Sequence, residues 1–259
     1  MEAEGSGILT VTTKNGSLGV IVARGGSKRV PRKILREVAG HPVIAWMVRA
    51  ALNSRLDRVI VSTEDAEIAE IARRYGAEVP FLRPVELAED TVRNDAVLLH
   101  ALGRAEEVGG RYDTVVLLQS AAPFTQPEDI DRCVETLASS DANCVFAVRP
   151  VKEQPTWMFR RGPDGAAVRF LGGDLIGKEQ LTQGNEALFL PAGSVWAIRT
   201  AALRAHQAVY AAPVQIVEVP FEHAVDLDDE IDFDVATAVA ARHSIALWPL
   251  PGARGDDQD

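Results

Sequence analysis

The chain has 259 residues, with Lys plus Arg 27 against Asp plus Glu 37 and a formal charge of −10, so it lacks the basic surface that general nucleic-acid binding requires. Hydrophobic residues make up 47% and charged residues 25%, which suits one large α/β domain, with or without an extra lobe. The two cysteines, Cys133 and Cys144, sit in no CxxC pair, which excludes a disulfide framework and leaves reduced thiols as the expectation.

The opening MEAEGSGILTVTTKNGS has no basic stretch leading into an apolar one, and no apolar run approaches the ~20 residues of a membrane span. A cytoplasmic protein with no membrane partner is expected, with loose ends over residues 1–17 and 251–259. The first strand is predicted at Leu18–Val22, followed by a basic, glycine-containing loop. In "PVIAWMVRAALNS", Ile44, Met47, Val48 and Ala51 recur at helical spacing. Arg58–Ser62 is a second β-branched run. Asp65 is placed to cap the helix of "AEIAEIARRYG", which Gly76 ends. "EVPFL" reads as a short third strand, and "DAVLLHALGRAEEVGG" as a helix. Thr114–Gln119 is a buried strand, "QPEDIDRCVETLASS" a helix opened by Pro127, and Asn143–Val148 another strand. This alternation predicts a doubly wound, mostly parallel sheet.

From about Arg149 to Pro191 the period breaks, and glycines, prolines and aromatics point to an inserted lobe with hairpin turns at "GPDG" and "LGGD". Strands return at Gly193–Ile198 and Val214–Val219, before a last helix in "DDEIDFDVATAVAARH". The whole from residue 18 to 243 reads as a single domain carrying that lobe.

Ligands of parallel sheets collect at the carboxyl ends of strands. There, after the first strand, stand Arg24, Gly25, Gly26, Ser27, Lys28, Arg29, Arg32 and Lys33. The spacing is neither that of a P-loop nor a GxGxxG turn. Gly25 and Gly26 would let backbone N–H groups approach a polyphosphate, with Arg24, Lys28, Arg32 and Lys33 adding charge. A surface turn of solvated cations is the alternative. In "FEHAVDLDDEIDFD", Asp226 and Asp228 alternate along an extended segment and can face one way to share a hard cation such as Mg²⁺. Asp229 and Glu230 suit the N-terminus of the next helix, and capping alone would also account for the acidic run. A polyphosphate cradle beside a two-carboxylate metal site is what nucleotidyl transfer requires.

The stretches "ARGGSKRVPRK", "VIVSTEDAEIAEIARRYGAEVPFLRPVELAED", "VVLLQSAAPFTQPEDID" and "VDLDDEIDF" resemble the cytidylyltransferases that make CMP-sialic acid and CMP-linked relatives. The likeness runs from about Leu18 to His243. It implies a Rossmann-like nucleotide-diphospho-sugar transferase fold, a homodimer with a dimerisation or lid lobe, and Mg²⁺-dependent use of CTP. By position it implies that Arg24 and Lys33 contact the triphosphate, with Ala23, Gly25, Gly26 and Ser27 beside them. Arg83 and the stretch from Asp90 to Asn94 would lie near the cytidine. Gln119 would face the acceptor, and Asp226 and Asp228 would bind the metal. Arg24, Lys33 and Asp228 are the residues expected to carry catalysis.

The chain also departs from the family pattern. Ile34 replaces an asparagine that helps hold the nucleotide, and Thr125 replaces an arginine. In the acceptor motif, now "EQLTQGNEALFLPAGSVW", Gln183 is kept, Phe189 replaces tyrosine and Ala192 replaces asparagine. The arginines are gone, and Lys178 is the nearest cation. Losing a bidentate arginine removes charged hydrogen bonds to a sugar carboxylate. The expected reaction is CMP transfer from CTP to a small anionic acceptor, either a sialic-type 3-deoxy-2-ulosonic acid or a phosphonate. A guanylyltransferase and an inactive nucleotide-binding homologue are the rivals. No general base stands out, with His100 and His223 as candidates.

Overall fold

A computed structural model describes residues 16–151, 153–172 and 187–251. The first strand, β1 (Gly16–Val22), feeds the basic loop, a 3-10 turn at Lys33–Leu35, and the small hairpin of β2 (Glu37–Val38) and β3 (His41–Pro42). Then come α1 (Val43–Asn53), β4 (Arg58–Ser62), α2 (Ala66–Arg74), a 3-10 turn at Val85–Ala88, and α3 (Asn94–Glu107). After β5 (Tyr112–Gln119) and α4 (Pro127–Ala138), β6 (Cys144–Pro150) leads into a hairpin of β7 (Phe159–Arg161) and β8 (Ala167–Arg169). The chain ends with β9 (Phe189–Arg199), α5 (Thr200–His206), β10 (Val214–Glu218) and α6 (Glu230–His243).

Six strands form one sheet in the order β10-β6-β9-β5-β1-β4. All pairings are parallel except those of β9, which runs against both β5 and β6. Alternation along the strands splits the core in two. Ile21, Val59, Val61, Val116 and Leu118 face α1, α2 and α4 through Ile44, Met47, Val48, Ile68 and Ile130. Leu18, Val20, Ile60, Val115 and Leu117 face α3 and α5 through Leu98, Leu102 and Leu203. A third cluster seats α6 (Phe233, Ala236, Ala240) on Val38, Val43, Trp46 and Phe124. The doubly wound, mostly parallel α/β sheet expected from the alternation is therefore the fold.

Three details differ from the sequence reading. "EVPFL" is no strand: only an isolated bridge joins Glu78 to Ile60, because Pro80 has no N–H to continue a ladder. The short helix α5 carried too few residues to show a period. Gly16 and Ser17 already belong to β1, and the Ser17 N–H and hydroxyl donate to Asp57 at 2.7 and 2.8 Å. The "GPDG" turn does close the β7–β8 hairpin, with Gly165 at φ 84° and the Gly162 N–H donating to Ala166 O at 2.8 Å. At "LGGD", Gly172 has φ 81° and the residues beyond it lie outside those described. Cys133 and Cys144 are buried and unpaired, and burial pushes both thiols up to about 12. Among the described residues, no helix is long and apolar enough to cross a membrane.

Arg199, at the end of β9, closes the C-terminus of α4. Its guanidinium donates to the carbonyls of Leu137, Ser140 and Ala142 at 2.9, 2.6 and 2.8 Å, supplying charge and donors where a helix leaves orphan acceptors. Arg199→Met should therefore lower the unfolding free energy by about 2 kcal/mol in urea titration, without changing the far-ultraviolet circular dichroism at low denaturant.

Candidate active site

The chain leaves β1 toward β4 on one side and leaves β5 toward β9 and β6 on the other, so a crevice opens between the carboxyl ends of β1 and β5. It holds a cavity of about 280 Å³ lined by Ala23, Arg24, Ser27, Lys33, Arg83, Asn94 and Gln119, with Ile34 and the segment around Asp90 completing the wall. Seven residues expected at the site from the sequence thus meet in one place. Gly26 lies next to them in open space.

Gly25 has a different job from the one expected. Its N–H donates to Glu64 Oε1 at 2.8 Å, so that amide is engaged by protein. A Cβ on Gly25 would stand 2.4 Å from Asp65 Oδ2, which is why no side chain fits there. Asp65 caps α2 by accepting from the amides of Glu67 and Ile68, and it pairs with Arg32 at 2.5 Å. Burial opposes its charge, but the bond to Arg32 and the cap together hold the Asp65 carboxyl below its ordinary range. Arg83 is almost fully buried and donates to Ala23 O at 3.0 Å and to Glu64 Oε2 at 2.7 Å. Glu64 is a site residue that the sequence reading missed. Its only signal was its place in "STED", directly after a strand.

The loop cations are neutralised by carboxylates from three other segments. Asp90 bridges Arg24, at 2.7 Å, and Lys28, and these two cations hold its carboxyl below the usual range. Asp228 lies 2.9 Å from Arg29 and 3.2 Å from Lys33. Burial works against the Asp228 charge, yet the bonds to Arg29 and Lys33 outweigh it and its pKa is lowered. Asp226 is the opposite case: burial first, then the nearby Asp228 charge, push its carboxyl up to about 6. Val225 and Leu227 point into the core on either side of it, and the Leu227 N–H donates to Ala121 O at 3.0 Å. This seats the acidic segment beside the end of β5. Gly193 of β9, at φ 71°, passes so close that a Cβ would come within 2.6 Å of Asp226 Oδ2.

Among the described residues, no three His, Cys, Asp or Glu side chains converge as a metal cluster. Two carboxylates fit Mg²⁺, which keeps waters and takes phosphate oxygens for its remaining positions. Asp229 and Glu230 begin α6 as expected: the Asp228 and Asp229 amides both donate to Asp232 Oδ2 at 2.7 Å.

Neither candidate base lines the cavity. His100 stands edge-on to Phe81 with ring centres 5.1 Å apart, and burial followed by the nearby Arg104 lowers its pKa. His223 Nδ1 lies 2.9 Å from Asp129 Oδ2 and opens on a separate groove under the chain's last described residues. Lys178 and Gln183 lie outside the described residues. Thr125, at the expected arginine, is buried and donates to Ala122 O at 3.2 Å.

A second cavity, of about 310 Å³, shares Val92, Asn94 and Gln119 with the first. Leu117, Trp196, Val209 and Tyr210 supply apolar walls, and Arg93 and Asp95 line its polar side. Trp196 is 5% exposed, and its Nε1–H is buried without a partner.

The profile of a family described as cytidylyltransferase matches residues 18–158. The CMP-N,N'-diacetyllegionaminic acid synthase of Legionella pneumophila is 31% identical over 232 residues, covering 89% of this chain and 98% of that protein. The pseudaminic acid cytidylyltransferase of Campylobacter jejuni is 36% identical over 132 residues, covering 51% of this chain and 57% of that protein. Among solved structures, a CMP:2-keto-3-deoxy-manno-octonic acid synthetase complexed with CTP superposes with a TM-score of 0.63 at 16% identity, covering 88% of this chain and 100% of that one. The 4-diphosphocytidyl-2C-methyl-D-erythritol synthase of Anaerococcus prevotii gives 0.61 at 13%, covering 88% and 97%. At these identities both structures speak for the fold.

Two expectations follow from the electrostatics. The folded Asp226 carboxyl titrates near 6 and an unfolded one near 3.9, so the native state holds the extra proton and stability falls as pH rises between those values. Without divalent metal, Asp226→Asn should stabilise the protein at pH 7.5 by about 2 kcal/mol in urea titration, and the gain should vanish below about pH 4. Asp90→Asn frees Arg24 and Lys28, and should tighten calorimetric binding of inorganic tripolyphosphate by about fivefold at low salt.

Proposed function

The chain belongs to the CMP-sialic acid synthetase-like cytidylyltransferase family and is a CTP-dependent nucleotidyltransferase, and from that premise we propose that it transfers CMP to a nonulosonic acid of the legionaminic and pseudaminic kind, releasing pyrophosphate. The observation carrying this reading is the pair of neighbouring cavities at the crevice, which share Val92, Asn94 and Gln119 in their walls. The first gathers cations for a triphosphate, and the second offers an apolar wall beside Gln119.

In this reading Arg24, Ser27 and Lys33 hold the phosphates, with Ala23 and the open Gly26 letting them approach. Arg83 and Asn94 address the cytidine. Ile34 closes the wall of the cavity by packing rather than by hydrogen bonding. Arg24 and Lys28 exchange Asp90 for the nucleotide's phosphates, and Lys33 offsets the charge that builds on the departing pyrophosphate. The acceptor lies in the second cavity with Gln119 fixing its orientation. Its N-acyl substituents suit the wall of Leu117, Val209 and Tyr210. Asp226 and Asp228 would hold Mg²⁺, which supplies charge neutralisation at the phosphates and acidifies an acceptor hydroxyl. The exposed Trp157, Met158, Phe159 and Phe170 of the β7–β8 hairpin support a homodimer.

The test is pyrophosphate release with Mg²⁺ and CTP or GTP, offering legionaminic-type and pseudaminic-type acids and small phosphonates side by side. Turnover with CTP and a nonulosonic acid, lost in Asp228→Asn, is expected. Turnover with phosphonates alone would sink the acceptor assignment, and turnover with GTP alone the nucleotide assignment. Lys33→Ala should cut kcat/KM for CTP by roughly a hundredfold or more.

A further inference from the structure

We infer that Glu64 is a positioning residue that locks the phosphate-binding loop and the cytidine-facing Arg83 into one rigid unit; this rests on the proposed reading of the first cavity as the CTP site. The two oxygens of its carboxylate serve two elements of that site. Oε1 accepts from the Gly25 amide at 2.8 Å, and Oε2 accepts from Arg83 Nη2 at 2.7 Å. The Glu64 and Arg83 side chains are only 14% and 3% exposed, so water screens the pair little.

The rest of the junction has no slack. Arg83 Nη2 also donates to Ala23 O at 3.0 Å, one residue before Arg24. The Arg83 amide donates to Thr63 O at 2.8 Å, and the Ala23 amide to Ser62 O at 3.1 Å. Arg83 Nε is buried without a partner. The ends of β1 and β4 and the segment entering at Arg83 therefore meet at a single carboxylate. Because the Gly25 amide is spent on Glu64, that glycine shapes the loop rather than binding phosphate.

A charged pair held this way is costly to break from one side, since the partner stays buried and uncompensated. Removing the Glu64 charge should leave Arg83 misaligned toward the base and the loop misaligned toward the phosphates. The base and phosphate ends of the nucleotide should then be weakened together. A residue with a purely structural role would alter stability alone.

The experiment titrates CTP and UTP, by calorimetry, into wild type, Glu64→Gln and Glu64→Asp, with unfolding midpoints recorded without ligand. Glu64→Gln should weaken CTP binding by roughly tenfold to a hundredfold and shrink the preference for CTP over UTP. Glu64→Asp, which keeps the charge but reaches less far, should fall between. In wild type, hydrogen exchange at the Gly25 amide should stay slow when CTP is bound, because the bond to Glu64 persists in the complex. The inference is overturned if Glu64→Gln binds CTP as tightly as wild type or more tightly. It is overturned equally if CTP weakens while the preference over UTP is unchanged, or if CTP makes the Gly25 amide exchange fast. Should both variants fail to fold, the Gly25 exchange result decides alone. Wild type that does not bind CTP, or a Lys33→Ala variant that binds it undiminished, brings down the reading of the cavity itself, and Glu64 with it.

Discussion

The carboxyl ends of β1 and β5 lie side by side while the chain departs from them in opposite directions, and the polar half of the molecule is organised by that divergence. No helix can lie over the point where the connections separate, so a crevice is obligatory there. The basic loop after β1 and the short turn after β5 line it, and the acids after β4 brace that loop from behind. The late acidic segment joins them because Val225 and Leu227 anchor it in the cluster beneath α6.

Gathering so many cations in one loop would be unstable if nothing balanced them. Asp65 and Glu67 take Arg32, Asp90 takes Arg24 and Lys28, and Asp228 takes Arg29 and Lys33. These pairs differ in depth, and depth decides what each can do. Asp90 is about two-fifths exposed, so in the proposed reading an incoming polyphosphate displaces it at little cost. The Glu64–Arg83 pair is buried and stays as framework. An acidic protein thereby keeps an anion site that is neutral until a more highly charged ligand arrives.

The two cavities have contrasting walls. The first is polar and ringed by residues that match the family pattern. The second is mostly aromatic and aliphatic, with Trp196 stacked on Phe146 at an interplanar angle of 14°. In the proposed reading, orientation there depends on Gln119 rather than on a fork of arginines. On that reading the nucleotide cavity keeps its charged groups because charge recognition tolerates few substitutes, whereas an apolar acceptor wall can be rebuilt from many side chains.

Much of this was legible in the residue order. Ile44, Met47, Val48 and Ala51 repeat at helical spacing and do face the sheet, since periodicity reports a helix's buried side directly. Ala23, Arg24, Ser27, Lys33 and Gln119 stand at strand ends, which mark ligand sites in parallel sheets, whereas Arg83 and Asn94 were reached through the family resemblance. What the residue order could not convey is pairing between segments far apart along the chain. Glu64 stood in the "STED" stretch after a strand with no role of its own until its carboxylate was found between Gly25 and Arg83. Asp226 looked equivalent to Asp228 until burial beside Gly193 separated their titrations. The residue order marked no role for Trp196, and only the packing around it left its N–H buried without a partner. Local spacing determined the elements, the strand ends and the types of residue at the site. Which carboxylate meets which cation, and how deeply, depended on the tertiary structure, because burial and long-range contact are properties of the folded chain and of no single stretch within it.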